Sequence, residues 1–232
     1  MMRYVIGDIH GCHKTLKLLI EEKIKPSRTD KLFFLGDYID RGPDSKAVLD
    51  FLMEMLKEGY QLGFLKGNHE DMMMEAAKSE KGFELWMTNN GDTTLRDFGI
   101  TDHAQLGPKA LERIPDIYTA FIREMPLLIN SEPEAVLVHA GLNFNADDPF
   151  REDDLMAWTR EEQYDEQLTQ GRKVIHGHTP VSIDHMLERI DNPEAGVINL
   201  DGGCVYNKRP HLGNLVALKL ENFELLVQPN SE

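Results

Sequence analysis

The stretch Leu32-Phe33-Phe34-Leu35-Gly36-Asp37-Tyr38-Ile39-Asp40-Arg41-Gly42 runs from a short apolar segment into glycines, two carboxylates and an arginine. An apolar run this short and unbroken reads as a strand buried on both faces. The residues after Gly36 have the composition of a loop that carries chemistry. The same order recurs along the chain. Tyr4-Val5-Ile6 leads into Gly7-Asp8-Ile9-His10-Gly11, and residues 62–65 lead into Gly67-Asn68-His69-Glu70. Ala135-Val136-Leu137-Val138 leads into His139-Ala140-Gly141, and Val174-Ile175 into His176-Gly177-His178-Thr179-Pro180. Polar residues at the ends of buried strands are where α/β proteins hold functional groups.

Helical patterns fill several gaps. Residues 13–22 carry Leu16, Leu19 and Ile20 at helical spacing, and Pro43 is placed to open a helix bearing Val48, Leu49, Leu52, Met55 and Leu56. Met72, Met73 and Met74 fit the buried face of a third helix. Residues 197–200, 215–220 and 225–227 read as further strands of a hairpin-rich sheet. Residues 71–134 carry no motif and read as a helical insertion or flank. No repeat, low-complexity tract or linker interrupts the chain. The motifs run from Asp8 to His178 and must converge, so an α/β fold in a single domain over residues 1–232 is expected.

Bulk composition narrows the function classes. The chain has 232 residues, 41% of them apolar and 28% charged, as in ordinary folded proteins. No apolar run approaches the roughly 18 residues of a membrane span. Only residues 1–6 precede Gly7, which leaves no room for a signal peptide, and the expected location is cytoplasmic. The cysteines, Cys12 and Cys204, fit a reducing compartment. A formal charge of −15 argues against a long nucleic-acid partner, which calls for basic stripes. A small phosphorylated substrate remains compatible, because bound metal ions invert the local field.

The strand-end residues suit divalent ions. Asp8 and His10 stand two apart, and in an extended segment both face one side, where an oxygen and a nitrogen can grip one ion. Asp37 can bridge to a second ion, for which Asn68, His139 and His178 supply further ligands. Such a set suits a two-metal centre with ions about 3.5–4 Å apart. A water shared by the ions would lose its proton and attack phosphorus in line. Arg41 and Arg160 can clamp phosphate oxygens. His69 would then protonate the leaving oxygen, with Asp40 orienting it. Each element alone is a weak signal; the combination is specific. The competing signatures G-x-x-x-x-G-K-[ST], G-x-S-x-G and H-E-x-x-H are absent from the sequence.

These blocks closely resemble the calcineurin-like metallophosphoesterases and, within them, the serine/threonine phosphoprotein phosphatase (PPP) family. Gly-Asp-Ile-His-Gly at 7–11, Gly-Asp-Tyr-Ile-Asp-Arg-Gly at 36–42 and Gly-Asn-His-Glu at 67–70 match its signature blocks in order. Gly-His-Thr-Pro around His178 is the form of bacterial and phage members such as the phage lambda phosphatase. Trp158-Thr159-Arg160-Glu161 resembles the segment bearing the second phosphate-binding arginine. Trp86, Asn89-Asn90-Gly91 and Thr94-Leu95 also resemble the small bacterial members. The resemblance implies two mixed β-sheets packed as a sandwich with helices outside. It also implies one ion on Asp8, His10 and Asp37 and another on Asp37, Asn68, His139 and His178. Manganese, iron and zinc are the ions it implies. His176 is expected to be structural or to support a ligand, and Asp201 to orient a ligand imidazole.

On the same resemblance the leading substrate is a protein phosphoserine or phosphothreonine, with some phosphotyrosine. The alternative is a symmetrical bis(5'-nucleosyl)-tetraphosphate hydrolase, a subgroup that usually departs from Asp at position 40 and carries Asp in place of Glu70. RNA 5′ ends or other small phosphoesters, and a non-enzymatic metal-binding regulatory domain, are more distant readings. Residues 143–170 hold nine acidic residues against Arg151 and Arg160. If this loop rims the site, it would favour phosphosites flanked by Lys or Arg.

Overall fold

A computed structural model describes residues 1–131 and 133–232. Nine strands alternate with helices: β1 (Arg3–Ile6), β2 (Lys31–Phe34), β3 (Gln61–Phe64), β4 (Leu128–Ser131), β5 (Ala135–Val138), β6 (Lys173–His176), β7 (Val197–Asn199), β8 (Asn214–Lys219) and β9 (Glu224–Pro229), counted among the described residues. They form two mixed sheets, one in the order β3-β2-β1-β8-β9 and the other in the order β4-β5-β6-β7. β1, β2 and β3 are mutually parallel, as are β5, β6 and β7. Their carboxyl ends therefore share one edge in each sheet.

Strand alternation divides the core into layers. Val5, Val216 and Leu218 from the first sheet meet Leu137, Ile175 and Ile198 from the second, with Leu35 and Leu65 just past β2 and β3. This is the filling of the sandwich. The other faces of β1 and β2 present Tyr4, Ile6, Leu32 and Phe34 to the helices. Val136, Val138 and Val174 face outward from the second sheet onto Leu142 and Met156. Each such aliphatic side chain, fully buried, contributes about 1.5–3 kcal/mol.

The helices are α1 (His13–Leu18), α2 (Ser45–Lys57), α3 (Asn68–Ala76), α4 (Glu80–Thr88), α5 (Gly91–Asp97), α6 (His103–Leu106), α7 (Asp116–Arg123), α8 (Leu155–Trp158), α9 (Glu166–Thr169) and α10 (Ile183–Asp191). α1 continues as a π-helical segment, Leu19–Ile24, closed by Lys25 at φ 51°. α2 forms as its pattern predicts, burying Val48, Leu49, Leu52 and Met55. Its start differs: Pro43 lies outside the helix, and the Asp44 side chain caps it by accepting the Ala47 N–H at 3.2 Å.

Two further expectations shift. The stretch 71–134 is mostly helical but also supplies β4, which pairs antiparallel with β5. β7 does not join the C-terminal hairpin of β8 and β9; it pairs parallel with β6 in the other sheet. No helix among the described residues is long and apolar enough to cross a membrane.

Candidate metal centre

The loops leaving β1, β2 and β3 meet those leaving β5, β6 and β7 at the shared edge. The chain turns sharply there. His10, Asp37, Asp40, Arg41 and His178 all adopt positive φ, between 47° and 70°. That region is costly for residues with a Cβ and persists where surroundings impose it. For His10 this corrects the extended reading: a turn at φ 47°, not strand alternation, brings its ring to the site.

Asp37 stands at the centre. Its Oδ2 lies 3.4 Å from His10 Nε2, and its Oδ1 lies 3.5 Å from His139 Nε2. Asn68 Oδ1 lies 3.1 Å from His139 Nε2 and 2.9 Å from His178 Nδ1. His178 donates its backbone N–H to Asp8 Oδ2 at 3.0 Å, while Asp8 Oδ1 is buried with no hydrogen-bond partner. Two clusters of potential ligand atoms result, one from His10, Asp37 and His69 and one from Asp37, His139 and His178. Gly67 makes this approach feasible: a Cβ there would lie 2.2 Å from Asp37 Oδ1.

The donor set fits cations. His139 gives its Nδ1–H to the Leu35 carbonyl at 2.8 Å, so the neutral ring offers a lone pair at Nε2. Burial lowers its pKa and keeps it neutral. That lone pair faces two oxygens that are themselves acceptors, an arrangement a cation between them resolves. His10 repeats the pattern, with Nδ1 on the Ile39 carbonyl at 3.0 Å and its pKa pushed down by burial and by Arg41. Burial and the neighbouring His139 push His178 down to about 3. Burial, then the charges of Asp201 and Asp37, drive Asp8 well above the usual carboxylate range. Buried carboxylates that repel one another are what divalent ions neutralise.

Other expected residues are gathered around this core. His69 Nδ1 lies 2.7 Å from Asp40 Oδ2, both residues are fully buried, and His69 Nε2 has no partner. Arg41 donates to His10 Nε2 at 2.5 Å and lines a cleft of about 390 Å³ with Arg96, Asp97 and Asn207. Arg160 is exposed on the strap after α8, close enough for its charge to lower the pKa of His178. It lines a second cleft, of about 440 Å³. His176 belongs to neither ligand cluster; its Nε2 lies 3.7 Å from Glu162 Oε1. Asp201 accepts from Gly203 N at 2.8 Å, and among the described residues no imidazole nitrogen is hydrogen-bonded to it. The candidate ligand rings of His10 and His139 are oriented by backbone carbonyls instead.

Sequence reasoning missed some supporting groups. Glu70 accepts N–H groups from Gly67, Asp37, Tyr38 and Ile39, tying the β2 and β3 loops together. Trp158 donates to Asp71 Oδ2 at 2.9 Å and anchors the strap bearing Arg160 to α3. Trp86 and Thr94 reach Asp40 from the stretch that reads as a flank. The Trp86–Leu95 segment stands out by its resemblance to the small bacterial members, but nothing in its spacing links it to Asp40.

The chain is similar to several known phosphoester hydrolases. Over 93 residues, 40% of each chain, the sequence is 39% identical to serine/threonine-protein phosphatase 1 of Salmonella typhimurium. It is 25% identical to the asymmetrical bis(5'-nucleosyl)-tetraphosphatase PrpE of Anoxybacillus flavithermus, covering 100% of this chain and 95% of that one. The fold resembles the crystal structure of a putative diadenosine tetraphosphatase at a TM-score of 0.69 and 19% identity, covering 100% of this chain and 94% of that chain. The family pattern described as calcineurin-like phosphoesterase matches residues 1–191. With its strand-end carboxylates and imidazoles gathered around Asp37, the chain belongs to the calcineurin-like phosphoesterases, hydrolases built around a dinuclear metal centre.

Proposed function

We propose that this phosphoesterase removes phosphate from serine and threonine side chains of proteins in the cytoplasm. The observation carrying this reading is the buried Asp40–His69 pair, 2.7 Å apart, with His69 Nε2 left unpartnered. An alkoxide is a poor leaving group and departs only with a proton, so a held histidine matters most for such esters. A nucleotide leaving from a polyphosphate is already a stable anion and needs that proton far less.

Asp8, His10 and Asp37 would hold one divalent ion, and Asp37, Asn68, His139 and His178 the other, manganese being the ion to try first. Two ions, when bound, supply charge neutralisation of the phosphate and an activated water for in-line attack. Arg41 and Arg160, one beside each flanking cleft, would grip the phosphate oxygens. His69 would deliver the proton from Nε2 while Asp40 retains Nδ1–H. Glu161 and Glu162 follow Arg160 directly and would favour phosphosites with basic neighbours; equal rates on acidic-flanked and basic-flanked peptides would remove that element.

A second reading, hydrolysis of dinucleoside tetraphosphates, is favoured by the full-length similarity to PrpE. A phosphoserine peptide and diadenosine tetraphosphate, compared by kcat/KM with manganese on one preparation, separate the two. Preference for the peptide supports the proposal. Preference for the dinucleotide leaves the metal ligands as assigned and overturns the substrate.

A further inference from the structure

Asp40 is fully buried, and a carboxylate in that position keeps its charge only if donors occupy its oxygens. Besides His69, Oδ2 receives the indole N–H of Trp86 at 2.8 Å, and Oδ1 receives the Thr94 hydroxyl at 2.6 Å. Thr94 Oγ1 also lies 3.0 Å from the Asp40 backbone N–H, from which it accepts, and 3.2 Å from Ser45 Oγ. Burial pushes the Asp40 pKa up, and the contacts from His69, Thr94 and Trp86 oppose that. Donors on both oxygens fix the plane of the carboxylate, and hence the direction from which His69 Nδ1 is held.

The supports come from elements that supply no candidate metal ligand. Trp86, wholly buried, is on α4 and Thr94 is on α5. The turn between these helices is shaped around the indole. Asn90 adopts φ 68°, and a Cβ on Gly91 would lie 2.4 Å from Trp86 Cδ2. Glycine is therefore what lets the start of α5 lie against the ring. The helical stretch outside the motifs is joined to the Asp40–His69 pair by this contact.

We propose that Trp86 and Thr94 are positioning residues that hold Asp40 against His69, with Gly91 seating the indole. The inference rests on the reading of His69 as proton donor. Thr94→Val deletes the hydroxyl at nearly constant volume, and Trp86→Phe deletes the N–H but keeps an aromatic ring. Both variants should turn over a phosphoserine peptide roughly 10- to 100-fold more slowly. They should stay within about threefold on p-nitrophenyl phosphate, whose leaving group needs little protonation. KM and manganese affinity should hold, and Thr94→Ser should restore the rate.

A second readout is independent of turnover. In metal-free protein the Trp86 indole N–H should resonate downfield by proton NMR and move upfield in Asp40→Asn. Because the chain has only two tryptophans, assignment is direct. Equal slowing on both esters, no rescue by Thr94→Ser, or an indole resonance indifferent to Asp40→Asn would overturn the proposal. His69→Asn serves as the control. If it slows both esters alike, the proton-donor reading falls and takes this one with it. If it is selective while the Thr94 and Trp86 variants are not, only the positioning role falls.

Discussion

Replacing Glu70 by Gln tests whether one buried carboxylate holds the β2 and β3 loops in place. Oε2 accepts from Asp37 N at 2.9 Å and Gly67 N at 3.0 Å; Oε1 accepts from Tyr38 N at 2.9 Å and Ile39 N at 3.3 Å. The residue is 0% exposed, so water cannot substitute for a lost acceptor. Glutamine replaces one oxygen by an NH₂ group, so one of these N–H pairs would face another donor. At about 1–3 kcal/mol per unsatisfied buried group, the loss is roughly 2–6 kcal/mol. For a chain of this size that lowers Tm by roughly 4–24 °C. Calorimetry or urea unfolding in chelator measures it without stabilisation by bound ion. Manganese affinity should fall as well, because Asp37 rides on the loop that loosens. A Glu70→Gln protein within about 0.5 kcal/mol of wild type, with unchanged metal binding, would refute the clamp.

The same geometry sets other outcomes. Burial first, and then the charge of Asp37, raises the Asp201 pKa from 3.8 to about 7. The folded, metal-free protein therefore keeps a proton that the unfolded chain releases, so the contribution of Asp201 to stability in chelator falls as pH rises through that range, by on the order of 1–4 kcal/mol, against the opposite trend from the buried neutral His10, His139 and His178. Asp201→Asn should remove that falling contribution, so that stability in urea unfolding at pH 5 to 8 changes more favourably with rising pH than in wild type, and an unchanged slope would refute the assignment. Trp158→Phe removes the 2.9 Å bond to Asp71 and loosens the strap carrying Arg160. KM for phosphopeptide should rise by roughly tenfold with kcat nearly constant, and an unaltered KM would mean the strap is held otherwise. Arg41 donates at 2.5 Å to the His10 Nε2 lone pair that a cation needs. Arg41→Ala should bind manganese roughly 3- to 10-fold more tightly by calorimetry, while inhibition by inorganic phosphate weakens by a larger factor. Weaker manganese binding would show that Arg41 supports the ligand rather than competing for it.

The strand-end grammar was legible because it is local. Apolar runs ending in Gly, Asp, Asn or His mark the strands that frame the site, and His10, Asp37, Asn68, His139 and His178 come together from β1, β2, β3, β5 and β6, with His69 rather than Asp8 in the cluster around His10. What periodicity could not supply was partnership at a distance. Trp86 reads as an apolar helix residue, and only the fold shows that its N–H reaches Asp40, 46 positions away. β4 carries little signal of its own in the sequence because it is a short, half-buried strand. The sequence does not show which sheet β7 joins, because a three-residue strand does not encode its neighbour. Glu70, which in the sequence reads as a mark of substrate class, has both oxygens on backbone N–H groups. It can influence substrate through the β2 and β3 loops it ties together.

The proposed second ion would take Asp37 and Asn68 from one sheet and His139 and His178 from the other. Metal ligands tolerate only about 0.2 Å of misplacement, so the spacing of the sheets has to be set to that tolerance. A few polar contacts cross the gap at the site, among them Asn68 Oδ1 to His139 Nε2 at 3.1 Å and His178 N to Asp8 Oδ2 at 3.0 Å. The first of these joins two atoms that would themselves bind metal, and so few polar contacts cannot set the spacing of two whole sheets. The dry layer of Val5, Leu35 and Leu65 against Leu137, Ile175 and Ile198 can, because a close-packed interior resists compression and sliding. Leu35 joins both roles: its side chain lies in that layer, and its carbonyl receives the His139 Nδ1–H at 2.8 Å, aiming Nε2 at Asp37. The apolar runs that first marked the strands thus also fix where the ligands stand.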